Sequence, residues 1–345
     1  MRTISAKQRQ ALEDLSAQGL LGGLPLQTAE KDIHVTEVLG LLSKLEVAHG
    51  HFKGLQKGET SKVDDGIRLV FAGGTCLSKA HGLIARMSED IDIKVVLSDP
   101  STALEKGVGC RARLKALHAA IEEMLASADY EIPATIDGKR NPHVRDVHRY
   151  YALGLRYSSG APALATLRPE LKLEVIHRHP RLPTEPVSFG YMFEALAGIA
   201  PTKTVTISGI HVAETLAEKV LSLLRRCHRM WSGLQKDELD PALVRHVYDV
   251  YRILQQRPEM LPVATTVFED LVRDDAEEFK DRDPEFEKNP RSALTKTLAE
   301  VKVSEELRAH YVDRLLPLIY EGEEVDYATA FSSFEQAASE LLAKL

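Results

Sequence analysis

The sequence predicts an α+β protein, in which a mixed β-sheet core with helices is followed by a helical C-terminal domain. Two observations predict this class. Short apolar or alternating runs typical of strands lie between residues 67 and 212, whereas helical spacing of apolar residues dominates from about residue 211 onwards. We therefore divide the chain into a helical lead (1–60), a sheet core (61–210) and a helical C-terminal domain (211–345).

The predicted elements follow in order along the chain. Apolar spacing predicts two helices in the lead, around Leu12 and around Leu41, with Thr28 as the cap of the second. The predicted strands are 67–71, 90–97, 150–157, 170–176 and 203–212, the last with a turn at Ser208 and Gly209, and helices are predicted at 76–83 and 104–125. The C-terminal helices are predicted at 213–229, 241–256, 263–272, 304–319 and 327–345, with 273–288 as a charged surface loop.

Composition limits the class of protein. No apolar run reaches the roughly 18 residues that predict a membrane span, and the first residues lack the apolar core of a signal peptide. Cys76, Cys110 and Cys227 are widely spaced and form no metal-ligand pair. These features predict a cytoplasmic protein without membrane contact.

Positive charge is concentrated in the middle of the chain. Residues 139–229 hold 14 Lys and Arg against 7 Asp and Glu, although the whole chain has a net charge of −7. This region is either a local surface for a polyanion or a set of helix faces and ion pairs, and the sequence leaves both interpretations open. Within it, KRNPHVRDVHRYY (139–151) mixes basic and aromatic residues, as RNA-contacting surfaces do, although its tyrosines also suit the start of a strand.

The most informative motif is a pair of carboxylates on one strand. Asp90 and Asp92 point to the same face of the predicted strand, and Ile91 points to the other. Two carboxylates on one face suit a hard divalent cation such as Mg2+, whereas the alternative is an exposed strand with two solvated acids.

The residues before this pair favour the metal interpretation. A buried strand ends at Gly73-Gly74-Thr75 and turns into a helix, where backbone N–H groups can receive phosphate oxygens. The segment contains neither the GxxxxGK[ST] pattern of a Walker A loop nor a GxGxxG dinucleotide fingerprint. The chemistry indicated is the transfer of a phosphorylated group.

The string GGTCLSKAHGLIARMSEDIDI (73–93) resembles the signature of the AbiEii/AbiGii toxins, which belong to the nucleotidyltransferase superfamily and include the MenT toxins. The resemblance implies a nucleotidyltransferase fold and two Mg2+ ions. It also implies transfer of a nucleotide from an NTP to an acceptor hydroxyl, with release of pyrophosphate. The implied acceptor is the tRNA 3′ end.

The resemblance also implies roles for individual residues. Asp90, Asp92 and Glu174 would hold the metal, with Glu170 as the substitute for Glu174. On the residues alone, the acids of PELKLEVIH could equally form a solvated ladder. The implied phosphate-binding residues are Gly73, Gly74, Thr75, Ser88 and Lys219.

Two helical residues complete the implied catalytic set. Lys219 in ETLAEKVLSLLRR would neutralise the triphosphate, and Asp249 in RHVYDVYRIL would orient Lys219 or take part in proton transfer. Without the resemblance, both suit solvated helix faces with ion pairs at helical spacing. Arg86 and Arg226 are the expected contacts to the RNA.

The implied setting is a toxin–antitoxin system, with a role in phage defence and an AbiEi-like antitoxin encoded nearby, with or without direct contact. Two alternatives stay open. One is a nucleotidyl- or phosphotransferase that modifies a protein, and the other is a catalytically inactive binding module on the same fold.

Overall fold

The computed structural model describes residues 1–47, 66–97, 107–136, 138–162, 164, 167–234, 239–320 and 325–345. They fall into two compact units. Unit 1 comprises Met1–His81, Ser88–His179 and Thr184–Gly209, and unit 2 comprises Gly82–Met87, Pro180–Pro183 and Ile210–Leu345. The expected boundary at 60/61 and the first residues of the helix predicted at 104–125 lie outside the described residues.

Unit 1 is built on a mixed β-sheet. Its strands are β1 (Ile67–Ala72), β2 (Asp90–Leu97), β5 (His143–Arg145), β6 (Tyr150–Leu155), β7 (Leu171–His177), β8 (Glu185–Phe189) and β9 (Val205–Gly209). Among the described residues these form one seven-stranded sheet in the order β5-β6-β7-β2-β1-β9-β8. A separate hairpin consists of β3 (Thr135–Ile136) and β4 (Lys139–Arg140).

Strand β2 lies at the centre of this sheet, antiparallel to β1 and parallel to β7. Ile91, Ile93 and Leu173 are at most 1% exposed, while Asp90 and Asp92 are half-buried. The predicted alternation is confirmed, because the apolar residues of β2 face the core and the two acids share the opposite face.

The helices of unit 1 are α1 (Ala6–Ala17), α2 (Leu26–Leu42), α3 (Gly73–Lys79), α4 (Gly107–Ser127) and α5 (Met192–Leu196). The predicted cap at Thr28 is wrong. Helix α2 begins at Leu26, directly after Pro25 in an extended conformation, and Thr28 is a buried residue inside the helix.

Helix α2 carries three consecutive buried charges, each with a partner. Glu30 accepts hydrogen bonds from the Ser159 hydroxyl and from backbone N–H groups of the following residues. Lys31 lies 2.9 Å from Glu89, and Asp32 pairs with Lys79. Because a buried charge is tolerated only when it is paired, these contacts define the position of α2 in unit 1.

Two features of the sheet differ from the sequence prediction. The turn expected at Ser208 and Gly209 is wrong, because β9 stays extended through both residues and pairs with β1. Strand β8 was not predicted, and its Pro186 is untypical of a central strand. It is an edge strand, where a missing N–H group is tolerated.

Unit 2 is helical, as predicted. Its helices are α6 (Val212–Trp231), α7 (Arg245–Gln256), α8 (Met260–Phe279), α9 (Pro284–Lys288), α10 (Pro290–Lys302), α11 (Glu305–His310) and α12 (Tyr327–Leu342). Helix α6 packs against α7, α8, α10 and α12. None of the described helices is both long and apolar enough to cross a membrane.

The surface loop predicted for residues 273–288 is wrong. Helix α8 continues to Phe279, because Val272 and Ala276 extend its buried stripe, and α9 then begins after the Asp283 cap. Helix α10 was not predicted. Asn289 caps it, and its first residue is Pro290, which has no N–H group to leave unpaired.

Candidate active site

The chain turns sharply where β1 meets α3. Gly73 has a φ of +71°, a conformation that favours glycine. A Cβ atom at this position would lie 1.8 Å from Oδ2 of Asp92, so the carboxylate of Asp92 fits directly against the glycine backbone. The first glycine of the motif therefore leaves space for the second acid of the motif.

Parallel pairing brings the three predicted acids together. In the register of β2 and β7, Asp92 lies opposite Glu174, and Asp90 lies opposite Lys172. Neighbouring strands are about 4.8 Å apart, and residues in register in a parallel pair point to the same face. Asp90, Asp92 and Glu174 therefore share one face, whereas Glu170 precedes β7.

Two cations from the same unit pair with two of these acids. Lys172 pairs with Glu174, and the Arg168 guanidinium lies 3.1 Å from Oδ1 of Asp90. Burial alone would raise the pKa of Glu174, but Lys172 and the Tyr150 hydroxyl hold it below its usual value. Burial and the neighbouring Glu174 raise the pKa of Tyr150 to about 12. Glu174 is thus an anion at neutral pH.

This donor set fits a hard divalent cation chemically, since it consists of carboxylate oxygens on neighbouring strands. Among the described residues, no three His, Cys, Asp or Glu side chains converge as a ready-made cluster for a metal. In this arrangement Asp90 pairs with Arg168, and Glu174 pairs with Lys172. Binding of a metal ion would exchange these ion pairs for metal–oxygen contacts.

Sequence reasoning did not identify Arg168 as part of this group. Its backbone is held on both sides, because its N–H group donates to Glu89 and its carbonyl accepts from Lys31. No local sequence pattern indicates this contact, which follows from the parallel pairing of β2 with β7. This pairing places residues that precede β7 beside the start of β2, where Asp90 lies.

The remaining predicted phosphate-binding residues of unit 1 lie around the same turn. Gly74 and Thr75 are buried in the first turn of α3, and the Thr75 hydroxyl donates to the backbone carbonyl of Asp90. This bond ties α3 to the start of β2. Ser88 precedes β2 and is half-buried.

In unit 2, Lys219, Asp249 and Arg86 form one buried cluster. Arg86 donates from Nε and Nη2 to the two carboxylate oxygens of Asp249, at 2.8 and 2.6 Å. Lys219 Nζ lies 2.6 Å from Oδ2 of the same carboxylate. Two cations thus share one anion, and the cluster carries an excess positive charge.

Asp249 therefore contacts Lys219, and its other partner is Arg86 rather than a cation of its own helix. Arg86 is 3% exposed, and its Nε and Nη2 atoms are both bound to the carboxylate of Asp249. This position does not suit the predicted contact of Arg86 with RNA. Arg226, the other predicted RNA contact, is half-exposed and pairs with Asp240 at 2.9 Å.

We expect Gly73→Ala to destabilise the protein more than Gly19→Ala. Both glycines have a positive φ, so both variants carry a backbone penalty of about 1–2 kcal/mol. A Cβ atom at Gly19 meets nothing within 4 Å, whereas at Gly73 it displaces Asp92. Thermal unfolding should show a loss in Tm for Gly73→Ala at least about twice that of the control. Equal losses would contradict the close packing of Asp92 on Gly73.

We expect Asp249→Asn to lower the free energy of unfolding by about 3–5 kcal/mol at pH 7, because Arg86 and Lys219 stay buried without a counter-charge. Burial raises the pKa of Asp249, but Arg86 and Lys219 more than offset it and hold the pKa well below its usual 3.8. The contribution of this carboxylate is therefore complete above pH 3.8 and is lost as the pH falls further.

Urea unfolding of wild type and Asp249→Asn, from pH 7 to below pH 3.8, measures the effect. The difference between their free energies of unfolding should narrow below pH 3.8. Asp240→Asn is the control, since it removes the half-exposed charge that pairs with Arg226, keeps a side-chain oxygen that can accept from the Ala242 N–H group, and should cost less than about 1 kcal/mol. Similar losses in the free energy of unfolding of the two variants would show that the buried cluster stabilises the protein no more than the half-exposed ion pair does.

The fold has a relative among solved structures. MenT4, a nucleotidyltransferase toxin from Mycobacterium tuberculosis H37Rv, superposes with a TM-score of 0.53 and 18% sequence identity. The match covers 95% of this chain and 88% of MenT4. At this identity the likeness establishes the fold, and it confirms the predicted fold class. No curated protein sequence matches the chain.

A sequence family provides the assignment. Residues 57–340 match the family described as "Nucleotidyl transferase AbiEii toxin, Type IV TA system". This range includes the Gly73 turn, the acids of β2 and β7, and the Lys219 cluster. The chain therefore belongs to the AbiEii nucleotidyltransferase toxin family and is an enzyme of the nucleotidyltransferase class.

Proposed function

We propose that the protein transfers a nucleotide from a nucleoside triphosphate to the 3′ end of a tRNA, in a reaction that depends on Mg2+. One observation carries the proposal. Asp92 and Glu174 lie in register on neighbouring parallel strands, with Asp90 two residues before Asp92 and the backbone of Gly73 directly against Asp92. Such a group of acids beside a glycine turn suits the binding of a metal–triphosphate complex.

The chemical step is a substitution at phosphorus. An acceptor hydroxyl oxygen forms a bond to the α-phosphorus, the bond from that phosphorus to the pyrophosphate oxygen breaks, and the hydroxyl proton is released. Mg2+ held by Asp90, Asp92 and Glu174 would stabilise the negative charge that develops on the phosphate oxygens. Two ions are part of the proposal.

The chain's own groups prepare the substrates. We assign the phosphates to the turn formed by Gly73, Gly74 and Thr75, with its backbone N–H groups as donors and Ser88 as a further contact. The Thr75 hydroxyl already donates to the Asp90 carbonyl, so Thr75 contributes through its backbone. Lys219 would neutralise negative charge on the triphosphate. Asp249 acts as its positioning residue, since it holds the lysine ammonium at 2.6 Å.

The family is part of a type IV toxin–antitoxin system. A member of a type IV toxin–antitoxin family has an antitoxin counterpart, and we propose an AbiEi-like protein encoded nearby, with no commitment to direct contact. We propose the cytoplasm as the place of action, because tRNA and NTPs are available there. Resistance to phage is the proposed benefit to the host cell.

We expect Asp92→Asn and Glu174→Gln each to lower nucleotide transfer by about 100-fold or more, because each removes a proposed metal ligand and several kcal/mol of transition-state stabilisation. Glu170→Gln is the matched control. It lies just before β7, outside the register that brings Glu174 beside Asp92, and should retain activity. Incorporation of labelled NTP into RNA, with and without Mg2+, measures the effect. Loss in Glu170→Gln with full activity in Glu174→Gln would reverse the assignment of the third acid.

The acceptor is tested by expression of wild type and Asp92→Ala in a heterologous host, followed by sequencing of tRNA 3′ ends. Added nucleotides should occur with wild type only. In parallel, purified protein is incubated with labelled NTPs, tRNA and a cell lysate. Label in protein bands alone would replace the tRNA proposal with protein modification. Equal toxicity of both proteins without any label would favour an inactive binding module.

A further inference from the structure

A group of exposed cations surrounds one edge of the sheet in unit 1. Hairpin strand β4, edge strand β5, the turn into β6 and the exposed face of α4 contribute them. We call this group the basic edge, and its members are Arg111, Lys115, Lys139, Arg140, Arg145 and Arg149. Among the described residues, no acidic side chain forms an ion pair with any member. The basic middle noted in the sequence therefore includes cations that are not consumed by internal ion pairs.

The basic edge is held firmly by the sheet. Asn141 follows β4, and its side-chain amide donates to the carbonyl of Gly154 at 2.9 Å and accepts from the N–H group of the same residue at 2.8 Å. Ile136 of the hairpin packs so closely on Gly154 that a Cβ atom there would lie 1.9 Å from it. The hairpin that presents Lys139 and Arg140 is thus anchored on β6, and a ligand would not have to order it.

The turn between β5 and β6 is strained. Asp146, Val147 and His148 have φ values of 50°, 55° and 72°, a conformation that is costly for residues other than glycine, above all for a β-branched valine. Burial of apolar surface does not offset this cost, since Val147 is 65% exposed. Strain of this kind is concentrated at binding and catalytic sites.

The basic edge is also connected to the candidate metal ligands. The guanidinium of Arg145 lies 3.8 Å from the centre of the Tyr150 ring. The hydroxyl of Tyr150 donates to Glu174 at 3.0 Å. A polyanion bound along the basic edge would therefore lie beside the strand pair that carries the acids.

From these contacts we infer that the basic edge is the docking surface for the phosphate backbone of the acceptor RNA. The inference rests on the proposed function and adds the surface through which the acceptor reaches the acids. RNA is the occupant because its regularly spaced phosphates complement a row of exposed cations that form no ion pair with an acid in the described part of the chain. Val144 and Val147, which are 40% and 65% exposed, provide apolar contact for ribose and bases.

The test uses the full-length protein. Lys139→Gln, Arg140→Gln and Arg149→Gln are combined in one variant, which leaves Arg145 and Tyr150 intact. The control combines Lys288→Gln, Arg291→Gln and Lys296→Gln, which removes the same charge from exposed residues of α9 and α10 in unit 2. Binding of labelled tRNA is measured by fluorescence anisotropy over a range of salt concentrations, together with KM for tRNA, KM for NTP and kcat.

We expect the basic-edge variant to bind tRNA about tenfold or more weakly, with a salt slope reduced by about 1 for each lost phosphate contact. KM for tRNA should rise, while KM for NTP and kcat stay within about twofold, and the control variant should match wild type. The charge-preserving variant that combines Lys139→Arg, Arg140→Lys and Arg149→Lys should restore binding.

Three outcomes would overturn the inference. One is unchanged tRNA binding and an unchanged salt slope in the basic-edge variant, while wild type transfers nucleotides to RNA. Another is an equal loss of binding in the control variant. The third is oligomerisation of the basic-edge variant in size-exclusion chromatography with unchanged RNA affinity, which would mean that the cations only prevent pairing of an open sheet edge. If wild type labels no RNA, the proposed function fails, and the anisotropy comparison still decides whether this surface binds RNA.

Discussion

The parallel pairing of β2 with β7 is the constraint on which the rest of the site depends. It places Asp92 beside Glu174 and so concentrates negative charge on one face of the sheet. Like charges at this distance repel, and the structure offsets the repulsion with Lys172 and Arg168. Lys172 also helps to hold the pKa of Glu174 below its usual value, and a divalent cation bound here would take the place of the two protein cations.

Buried charges elsewhere in unit 1 hold the segments that carry these acids and cations in position. Glu89 lies directly before Asp90, and its carboxylate receives Lys31 from α2 and the backbone N–H group of Arg168. The acid that looks most similar to Asp90 and Asp92 in the motif is therefore structural. It fixes the start of β2 relative to α2 and to the segment that carries Arg168. Paired buried charges of this kind specify one arrangement, because any shift leaves a charge without its partner.

The motif-bearing strands could be predicted from sequence because their signals are local. The alternation of Asp90 to Leu97 and the apolar run before Gly73 depend only on neighbouring residues. The failures also have local explanations. Edge strand β8 contains Pro186, which is untypical of a strand. The dense charge after Val272 predicted a loop, but surface ion pairs there are compatible with the continuation of helix α8. The pairing of Asp249 with Arg86 could not be predicted, since the two residues are 163 positions apart in the chain.

By itself, the sequence determined the α+β class, the strand face shared by Asp90 and Asp92, and the family to which the chain belongs. Periodicity and a contiguous motif encode these properties within a few dozen residues. Only the tertiary structure decided that Glu174 lies opposite Asp92, that Arg86 binds Asp249, and that no acid of the described residues forms an ion pair with the cations of the basic edge. The physical reason is that strand register and buried ion pairing depend on the packing of segments far apart in the chain. No local pattern specifies which of many possible partners a charge will meet.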